Sequence, residues 1–370
     1  RSLCDWSSDV CSSDLFHWLR AGDRVAVKPP ASPVLHCINY LLGQLDREYL
    51  TTLRAFGGLQ SYPSRTKDPD PIDFSTGSVG LGAAAPLFAS VVDRYVGAHF
   101  GTPPGRRFVA LIGDAELDEG NVWEALADPA ARGLGQLTWI VDFNRQSLDR
   151  VVPGVRSQEF THVFRDHGWQ VEVVKYGRRL REAFARPGGE ALERRIDEMP
   201  NPEYQSLLRK DGAEIRRLVV DNAPEADRAA LADVLGAYPD EELPGLIGDL
   251  GGHDLADMIA ALERADADPE RPTVIFAFTV KGWGLPIAGH PMNHSALLST
   301  EQVGELRAVL ADPDDEWAGF APDSPEGRLC AASAERLSEQ HVAPAERVDP
   351  YAIPHEFGPV TTRRVSSQDA

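Results

Sequence analysis

Positive charge is scarce in this sequence, which has 37 lysines and arginines against 57 aspartates and glutamates and a net charge of −20 at pH 7. A chain with this balance lacks the basic surface that neutralises a nucleic-acid backbone or anionic lipid, so we expect no nucleic-acid partner. Long apolar runs are also missing, because no stretch approaches the roughly 18 residues that a membrane-spanning helix needs. We therefore expect a soluble protein with no membrane partner.

Cysteine is rare as well. The chain has four, Cys4, Cys11, Cys37 and Cys330, and their spacing matches neither a disulfide framework nor a zinc-ligand pattern. The lack of a disulfide framework favours a reducing compartment, so the expected localisation is cytoplasmic. The 42% of hydrophobic residues, with 32 glycines and 28 prolines, is ordinary for a globular protein and excludes a low-complexity or wholly disordered chain.

The sequence patterns at the two ends of the chain differ from the pattern of its middle. No methionine precedes Met199, and residues 5–14 match the translation of a common sequencing adapter, so we expect residues 1–15 to be an artefact. The alternative is a natural serine-rich tail. Beyond about Leu337 the chain becomes rich in proline and loses periodicity, as linkers do. We expect one folded domain over residues 16–336 and a linker over residues 337–370 toward a missing domain.

Short apolar runs alternate with helical patterns along the chain, which predicts an α/β fold with a mostly parallel sheet flanked by helices. The predicted strands are 25–27, 108–112, 137–141, 169–174 and 273–279. The first predicted helix begins after Pro33. Further helices are predicted over residues 40–53, 80–100 and 116–127. Residues 178–264 are expected to form a mainly helical insertion packed around one edge or face of the sheet.

The segment Gly80-Leu-Gly82-Ala-Ala-Ala85 matches a dinucleotide-binding pattern, G-x-G-x-x-A. That pattern requires a buried strand immediately before it, and the preceding residues 73–77 are a polar turn instead. We therefore interpret the glycines as a tight turn that leads into a closely packed helix.

Asp114 and Asn144 carry the strongest chemical signal. Each follows a predicted buried strand, Asp114 directly after Gly113 and Asn144 30 residues further on. Because the carboxyl ends of adjacent parallel strands meet at one edge of a sheet, both side chains can converge on one ion. Carboxylate and amide oxygens suit Mg²⁺ or Ca²⁺, and a helix starting near Glu116 would favour a diphosphate beside it. The alternative is a helix N-cap at Asp114 and a turn residue at Asn144.

Residues 113–149 resemble the thiamine-diphosphate motif G-D-x(25–30)-N and, more narrowly, the homodimeric type of 2-oxoacid dehydrogenase E1 component. Further segments resemble this family in the family's order, namely 58–63, 77–82, 168–171, 201–205, 251–254 and 279–284. The resemblance covers about residues 24–310 and implies a thiamine-diphosphate-binding fold, in which this first domain grips the diphosphate. It also implies a homodimer through the cofactor-binding domains, in which a second domain from the partner subunit holds the pyrimidine.

The same resemblance implies the cofactor and metal residues. Those expected to bind Mg²⁺, the first two through side chains and the third through its backbone carbonyl, are Asp114, Asn144 and Gln146. Two further groups of residues are expected to line thiamine diphosphate. The neighbours of Asp114 are Gly113, Ala115 and Glu116, and a second turn contributes Gly77 and Val79. Ala115 and Glu116 are implied to approach the diphosphate through backbone N–H groups. Val79 is implied to wedge the cofactor into a bent shape, with the Gly77 carbonyl near its amino group.

The resemblance further implies catalytic roles for His294, Lys281, Tyr62 and His290. A mobile-loop histidine at His294 would handle the carbonyl group and the acyl transfer, with His290 as a substitute or helper. Lys281 would pair with the substrate carboxylate or a later intermediate, and Tyr62 would hydrogen-bond it. The alternatives are a loop histidine, a solvated lysine and a core tyrosine.

One position departs from the family pattern, which has a histidine beside the cofactor where this chain has Pro30. Proline offers neither a donor nor a base. We expect His36 to lie too far along its helix to replace that histidine, and we interpret His253 as structural.

The first functional hypothesis is therefore a decarboxylating 2-oxoacid dehydrogenase E1 component. It would use thiamine diphosphate and Mg²⁺, act on a 2-oxoacid such as pyruvate, and pass the acyl group to a lipoyl-bearing E2 acyltransferase. A transketolase-like transferase of sugar phosphates is the alternative enzyme. A catalytically incomplete cofactor-binding fragment is the third interpretation, since the glutamate that activates the pyrimidine is implied to lie on the missing domain.

Overall fold

The computed structural model describes residues 16–338 apart from 17, 102–104, 145, 148–149, 152–156, 311 and 313. Its strands are β1 Arg24–Val27, β2 Phe108–Gly113, β3 Leu137–Phe143, β4 Gln146–Ser147, β5 Arg150–Val151, β6 Gln170–Val174 and β7 Thr273–Phe278. Its α-helices are α1 Ser32–Leu41, α2 Leu81–Phe100, α3 Gly120–Ala127, α4 Ser157–Asp166, α5 Arg178–Phe184, α6 Gly189–Glu198, α7 Asn201–Leu207, α8 Gly212–Asp221, α9 Glu225–Gly236, α10 Leu243–Ile247, α11 Leu255–Asp266, α12 Thr300–Leu310 and α13 Pro325–Ser338. Short 3₁₀ helices cover Pro29–Ala31, Arg47–Thr51, Asp114–Asp118, Pro129–Ala131, Asp240–Glu242 and Gly251–His253. Within these ranges, no helix has the length and apolar character needed to cross a bilayer.

The main sheet contains β1, β2, β3, β7 and β6 in that spatial order, and every neighbouring pair is parallel. The register pairs Val27 with Leu111 and Gly113 with Asp142, so the strands end at a common edge. β7 comes last in the chain but lies between β3 and β6, because the chain returns to the sheet after the helical insertion α5–α11. β4 and β5 form a separate antiparallel pair.

Both faces of the sheet are covered, which explains why its strands are continuous apolar runs. Along β3, the side chains of Trp139 and Val141 belong to one core, which α2–α10 help to form, and Ile140 belongs to the opposite core. Helices α1 and α11 contribute Leu35 and Met258 to that second core. Full burial of one large apolar side chain contributes about 1.5–3 kcal/mol relative to exposure, so both faces stabilise the strands.

The predicted strands are all present, but the predicted helix over 40–53 is wrong. Helix α1 ends at Leu41, and Gly43 takes a left-handed conformation with φ of 72° while its N–H donates to the carbonyl of Tyr40. A left-handed glycine after the last turn is a common helix stop, because it satisfies a free carbonyl without Cβ strain. The chain then forms only the 3₁₀ turn Arg47–Thr51.

The helix predicted to start near Glu116 also begins later. Residues Asp114–Asp118 form a 3₁₀ helix, and α3 starts at Gly120. Glu119 between them is extended, with φ of −85° and ψ of 132°, so it interrupts the helical backbone. The free N–H groups expected beside Asp114 therefore belong to a short 3₁₀ turn and carry a weaker dipole than a full helix.

Gly80 forms the tight turn that the sequence predicts at the start of α2. Its φ is 83°, and a Cβ atom at this position would lie 2.3 Å from Asn121 Oδ1. Only glycine meets both conditions without a shift of the neighbouring residues. The glycine pattern at 80–85 is thus explained by the turn and by its packing against the first turn of α3.

Candidate functional site

Residues that follow neighbouring strands lie together at the carboxyl edge of the sheet. They are Lys28 after β1, Asp114 after β2, Asn144 after β3 and Thr279 after β7. Because Gly113 is paired with Asp142, the chain continues into Asp114 and toward Asn144 from adjacent strand ends. This placement is the one that the spacing of Asp114 and Asn144 predicts, and it is where open parallel sheets bind ligands.

A buried network centred on Asp142 underlies this edge. Asp142 Oδ2 lies 2.6 Å from Lys28 Nζ and accepts a hydrogen bond from Asn144 Nδ2 at 3.3 Å, while Oδ1 accepts one from Thr279 Oγ1. Asp142 is fully buried and Lys28 is 2% exposed. Local sequence patterns do not predict this pair, although a carboxylate within an otherwise apolar buried strand marks Asp142 as unusual.

The side chains of Asp114 and Asn144 provide hard oxygen donors at this edge. Asp114 is half-buried and Asn144 is buried, and the backbone carbonyl of Asn144 accepts from Gln205 Nε2 at 3.3 Å. A carboxylate and an amide oxygen with room for further oxygens match the preference of Mg²⁺. Gln146 lies in β4, paired with Val151, and its side chain is outside the described part of the structure. The metal role of all three residues stays a prediction.

Glu116 joins two glycine turns with its carboxylate. Oε1 accepts from the N–H of Gly113 at 3.3 Å, and Oε2 accepts from the N–H of Gly80 at 3.2 Å. Burial raises the pKa of Glu116, although these two hydrogen bonds act in the opposite direction. The family resemblance implies a diphosphate contact only for the backbone N–H of Glu116. In the structure, the Glu116 side chain also holds the turn that carries Val79 beside the turn that carries Asp114.

The remaining predicted cofactor residues lie at or near the surface of these turns. Gly77 is exposed, the Val79 side chain is 54% exposed, and Ala115 is half-buried. An exposed valine beside a glycine turn leaves an apolar surface that a ligand can cover. Their contacts with thiamine diphosphate stay predictions.

Lys281 and His294, both predicted to be catalytic, are brought together by the loop after β7. Lys281 Nζ donates to His294 Nδ1 at 3.1 Å, and the Lys281 carbonyl accepts from Asn293 Nδ2 at 2.9 Å. Lys281 is buried and His294 is half-buried. Because Nδ1 accepts a hydrogen bond, the proton of the neutral His294 ring is on Nε2, which can then donate to a ligand.

His290 and Tyr62 are placed differently from that pair. His290 Nδ1 accepts from the backbone N–H of Met292 at 3.1 Å, so this side of its ring stabilises its own loop. Tyr62 is 55% exposed and lines a cavity of about 360 Å³ with Leu59 and Gln60. Among the contacts described, none joins Tyr62 or His290 to His294, so their roles remain predictions.

The structure agrees with a structural role for His253. Its Nε2 accepts from the backbone N–H of Val280 at 2.9 Å, and its ring stacks on Trp283 with centroids 4.7 Å apart. Burial lowers the pKa of His253 to about 4, against a weaker opposing effect of Asp142. The ring is therefore neutral near pH 7 and supports the start of the loop that carries Lys281.

His36, which stands nearest in sequence to the position where the family has a histidine and this chain has Pro30, is engaged by residues of the loop before α2. Its distance from the cofactor stays a prediction. Its Nδ1 lies 2.8 Å from Asp70 Oδ2, and its Nε2 lies 3.4 Å from the carbonyl of Gln60 and 4.0 Å from Asp68 Oδ1. Both nitrogens thus face acceptors on opposite sides of the ring, which suits a doubly protonated imidazolium better than a shared metal ion. Burial alone lowers its pKa, but Asp70, Asp68 and Gln60 together raise it above 6.5.

We expect His36→Gln to destabilise the fold in a pH-dependent way. A raised folded-state pKa contributes stability that is complete below about pH 6.5 and is lost as pH rises through the folded-state value. A hydrogen bond to a charged group contributes about 1.5–3 kcal/mol, so the variant should lose about that much at pH 5.5 and less at pH 8.5. Urea unfolding at both values measures this difference. The exposed His162 supplies the matched control, His162→Gln, which should show no such trend. An equal loss at both values would contradict a charged His36.

A comparison with known proteins finds similarity to one family over part of the chain. Residues 19–186 match the family model described as the transketolase, thiamine diphosphate binding domain. The pyruvate dehydrogenase E1 component of Pseudomonas aeruginosa is 32% identical over 335 residues, which cover 87% of this chain and 37% of that protein. The corresponding protein of Escherichia coli K12 is 30% identical over 298 residues, which cover 77% of this chain and 32% of that protein. The chain thus spans about a third of the length of these relatives.

Solved structures support the fold. A transketolase from Leishmania mexicana aligns with a TM-score of 0.60 and 18% identity, over 89% of this chain and 40% of that chain. A transketolase mutant from Pichia stipitis gives a TM-score of 0.59 and 17% identity, over 89% of this chain and 39% of that chain. The predicted α/β class, with a parallel sheet flanked by helices, is therefore confirmed.

Proposed function

We infer the function from the similarity of residues 19–186 to the family described as the transketolase, thiamine diphosphate binding domain. We propose that the protein is the decarboxylating E1 component of a 2-oxoacid dehydrogenase and that its substrate is pyruvate. One observation carries this choice: the similarity to pyruvate dehydrogenase E1 components continues well beyond the binding domain, to 87% of the chain for the Pseudomonas protein.

The residues at the carboxyl edge fit thiamine diphosphate with Mg²⁺. In the proposal, Asp114 and Asn144 hold the ion through side-chain oxygens and Gln146 through its backbone carbonyl, and diphosphate oxygens complete the shell. The donor set is made only of oxygens, which is what Mg²⁺ prefers over softer metals. When bound, thiamine diphosphate supplies a nucleophilic thiazolium carbon that adds to the keto carbon of the 2-oxoacid.

The turns joined by Glu116 bind the rest of the cofactor in this proposal. The backbone at Gly113, Ala115 and Glu116 approaches the diphosphate. The exposed side chain of Val79 would pack against the cofactor, and the Gly77 carbonyl would accept a hydrogen bond from its amino group. Because Glu116 bonds to both turns, one side chain sets the distance between the diphosphate end and the bend.

Lys281 and His294 act on the substrate. The Lys281 ammonium pairs with the carboxylate of the 2-oxoacid, and His294 Nε2–H donates to the oxygen of the keto group. After carbon dioxide leaves, the same histidine protonates the sulfur that departs as the lipoyl disulfide opens. Tyr62 and His290 are proposed to flank the substrate from their own loops.

An apolar stripe on α2 supports a homodimer through the cofactor-binding domains. The exposed side chains Leu81, Phe88, Val92 and Tyr95 recur at intervals of seven, four and three residues, which places them on one face of the helix. An apolar stripe of this length on a folded surface is typical of an interface. In the proposal, the partner subunit supplies the pyrimidine-binding domain, a lipoyl-bearing E2 acyltransferase accepts the acyl group, and the reaction takes place in the cytoplasm.

The transketolase-like alternative is supported by the structural neighbours, which are transketolases. Both enzymes would use the same cofactor site, so substrate tests must separate them. The full-length protein should decarboxylate pyruvate in the presence of an artificial electron acceptor and should not transfer a two-carbon unit between sugar phosphates. The reverse result would favour the alternative.

This chain should bind the cofactor without turning over pyruvate, because it spans 37% of the Pseudomonas relative. Calorimetry with thiamine diphosphate and Mg²⁺ should show binding, while a pyruvate assay of the same sample should show no carbon dioxide release. Failure to bind the cofactor would contradict the proposed function. Turnover by this chain alone would contradict the dependence on a further domain.

A further inference from the structure

We propose that Lys28 and Asp142 form a positioning pair. The pair holds the side-chain amide of Asn144 in the orientation that directs its oxygen toward the metal ion. The inference rests on the proposed function, because it concerns the Mg²⁺ ligand Asn144. Lys28 and Asp142 are separate from the predicted ligands, and they act through Asn144 rather than on the cofactor.

The hydrogen bond from Asn144 sets which end of its side-chain amide faces Asp142. An asparagine amide can present either its oxygen or its NH₂ group to a neighbour, and rotation by half a turn exchanges the two. The structure has Nδ2 donating to Asp142 Oδ2 at 3.3 Å. With the NH₂ group held by a carboxylate, Oδ1 is the end of the amide that faces away from Asp142. A rotated amide would instead turn two positively polarised hydrogens toward the cation.

Lys28 compensates the buried charge of Asp142. Asp142 is fully buried, and a buried carboxylate without a partner carries a large desolvation cost. Lys28 Nζ at 2.6 Å neutralises the charge, and Thr279 Oγ1 occupies the other oxygen. Both oxygens of Asp142 are therefore engaged by the protein, so this carboxylate does not compete with Asp114 for the ion.

The pair also contacts the turn that carries the other ligand. A Cβ atom built on Gly113 would lie 3.9 Å from Lys28 Cδ and 4.0 Å from Lys28 Nζ, so the lysine packs directly under that glycine. Gly113 immediately precedes Asp114, and Asp142 lies two residues before Asn144. Lys28 and Asp142 thus support both ligand-bearing strand ends, which are 30 residues apart in sequence.

A purely structural role for the ion pair is the competing explanation, and replacing the pair as a unit separates the two. Well-packed apolar residues often replace a buried ion pair without loss of stability. We therefore expect Lys28→Leu/Asp142→Leu to melt near the temperature of the unsubstituted chain but to bind Mn²⁺ with thiamine diphosphate about 10–100-fold more weakly, the usual effect of losing a residue that orients a ligand. The neutral hydrogen-bonding pair Lys28→Gln/Asp142→Asn keeps a donor and an acceptor, so it should restore affinity.

The experiment titrates the full chain with Mn²⁺ in the presence of thiamine diphosphate and follows free Mn²⁺ by electron paramagnetic resonance, with melting measured on ligand-free samples. If the leucine pair does not fold, Lys28→Met/Asp142→Val is measured in its place, since valine suits a strand. Unchanged affinity in a folded apolar pair, with binding lost in Asp114→Ala, would overturn this inference alone. Absence of Mn²⁺ binding by the unsubstituted chain would overturn the proposed function as well.

Discussion

Asp114→Ala is expected to abolish measurable binding of thiamine diphosphate with Mg²⁺. The substitution removes the carboxylate among the predicted ligands, so the ion keeps only neutral protein oxygens against a diphosphate of high negative charge. In a protein of net charge −20, no excess of basic groups is available to take over that neutralisation. Loss of a residue that merely orients a ligand costs about 10–100-fold in affinity, and loss of the ligand itself should exceed that range.

Calorimetry of the full chain with the cofactor and Mg²⁺ measures the effect. Asp118→Ala is the matched control, because Asp118 ends the same 3₁₀ turn and is exposed. The control should bind as the unsubstituted chain does. Equal affinities in Asp114→Ala and in the unsubstituted chain would refute the assignment of Asp114 as a metal ligand. The alternative role of helix N-cap is wrong, because Gly113 caps the 3₁₀ turn and Glu119 caps α3.

In the full-length protein, His294→Ala should impair acyl transfer to the lipoyl group more than decarboxylation. The hydrogen bond from Lys281 to Nδ1 orients the His294 ring and places the proton of the neutral ring on Nε2. A donor on the loop after β7 is suited to protonate the sulfur released when the disulfide opens. Removal of a general acid typically slows the step it serves about 10²–10⁴-fold.

An artificial electron acceptor bypasses the lipoyl step, so two assays on one variant separate the two roles. The variant should retain most of its rate with the artificial acceptor and lose it with the lipoyl-bearing partner. His162→Ala, at an exposed position on α4, is the control and should behave as the unsubstituted protein in both assays. Equal losses in both assays would move His294 to the decarboxylation step.

The sequence predicted those parts of the structure that local patterns determine. Strands such as Phe108–Gly113 are recognisable because burial on both faces requires a continuous apolar run. The convergence of Asp114 and Asn144 followed from the general rule that parallel strands end at one edge of a sheet. The assignment of that edge to thiamine diphosphate came from the resemblance to a family rather than from the pattern.

What the sequence did not predict depends on contacts between distant residues. Lys28 and Asp142 are 114 positions apart, and nothing in either local segment indicates that one will neutralise the other. The same holds for His36 and Asp70, which are 34 positions apart and meet only because the loop before α2 folds back on α1. The end of α1 was missed for a local reason, since the apolar spacing continues past Gly43 although the backbone does not.

The place of β7 in the sheet has a consequence for synthesis on the ribosome. Within the main sheet as described, β7 is the neighbouring strand of β6, and it is also the second neighbour of β3. Until β7 is synthesised, β6 has no partner strand in this sheet and one edge of β3 is unpaired. About 100 residues separate the end of β6 from the start of β7, which at a translation rate of about 5–20 residues per second is a delay of roughly 5–20 s. During that interval a nascent chain exposes an incomplete apolar sheet with an unpaired edge strand. Strands of other chains can pair with such an edge and cause aggregation. Chaperones that cover such edges thus have a defined window in which to act on this protein, and it closes when Thr273–Phe278 has emerged.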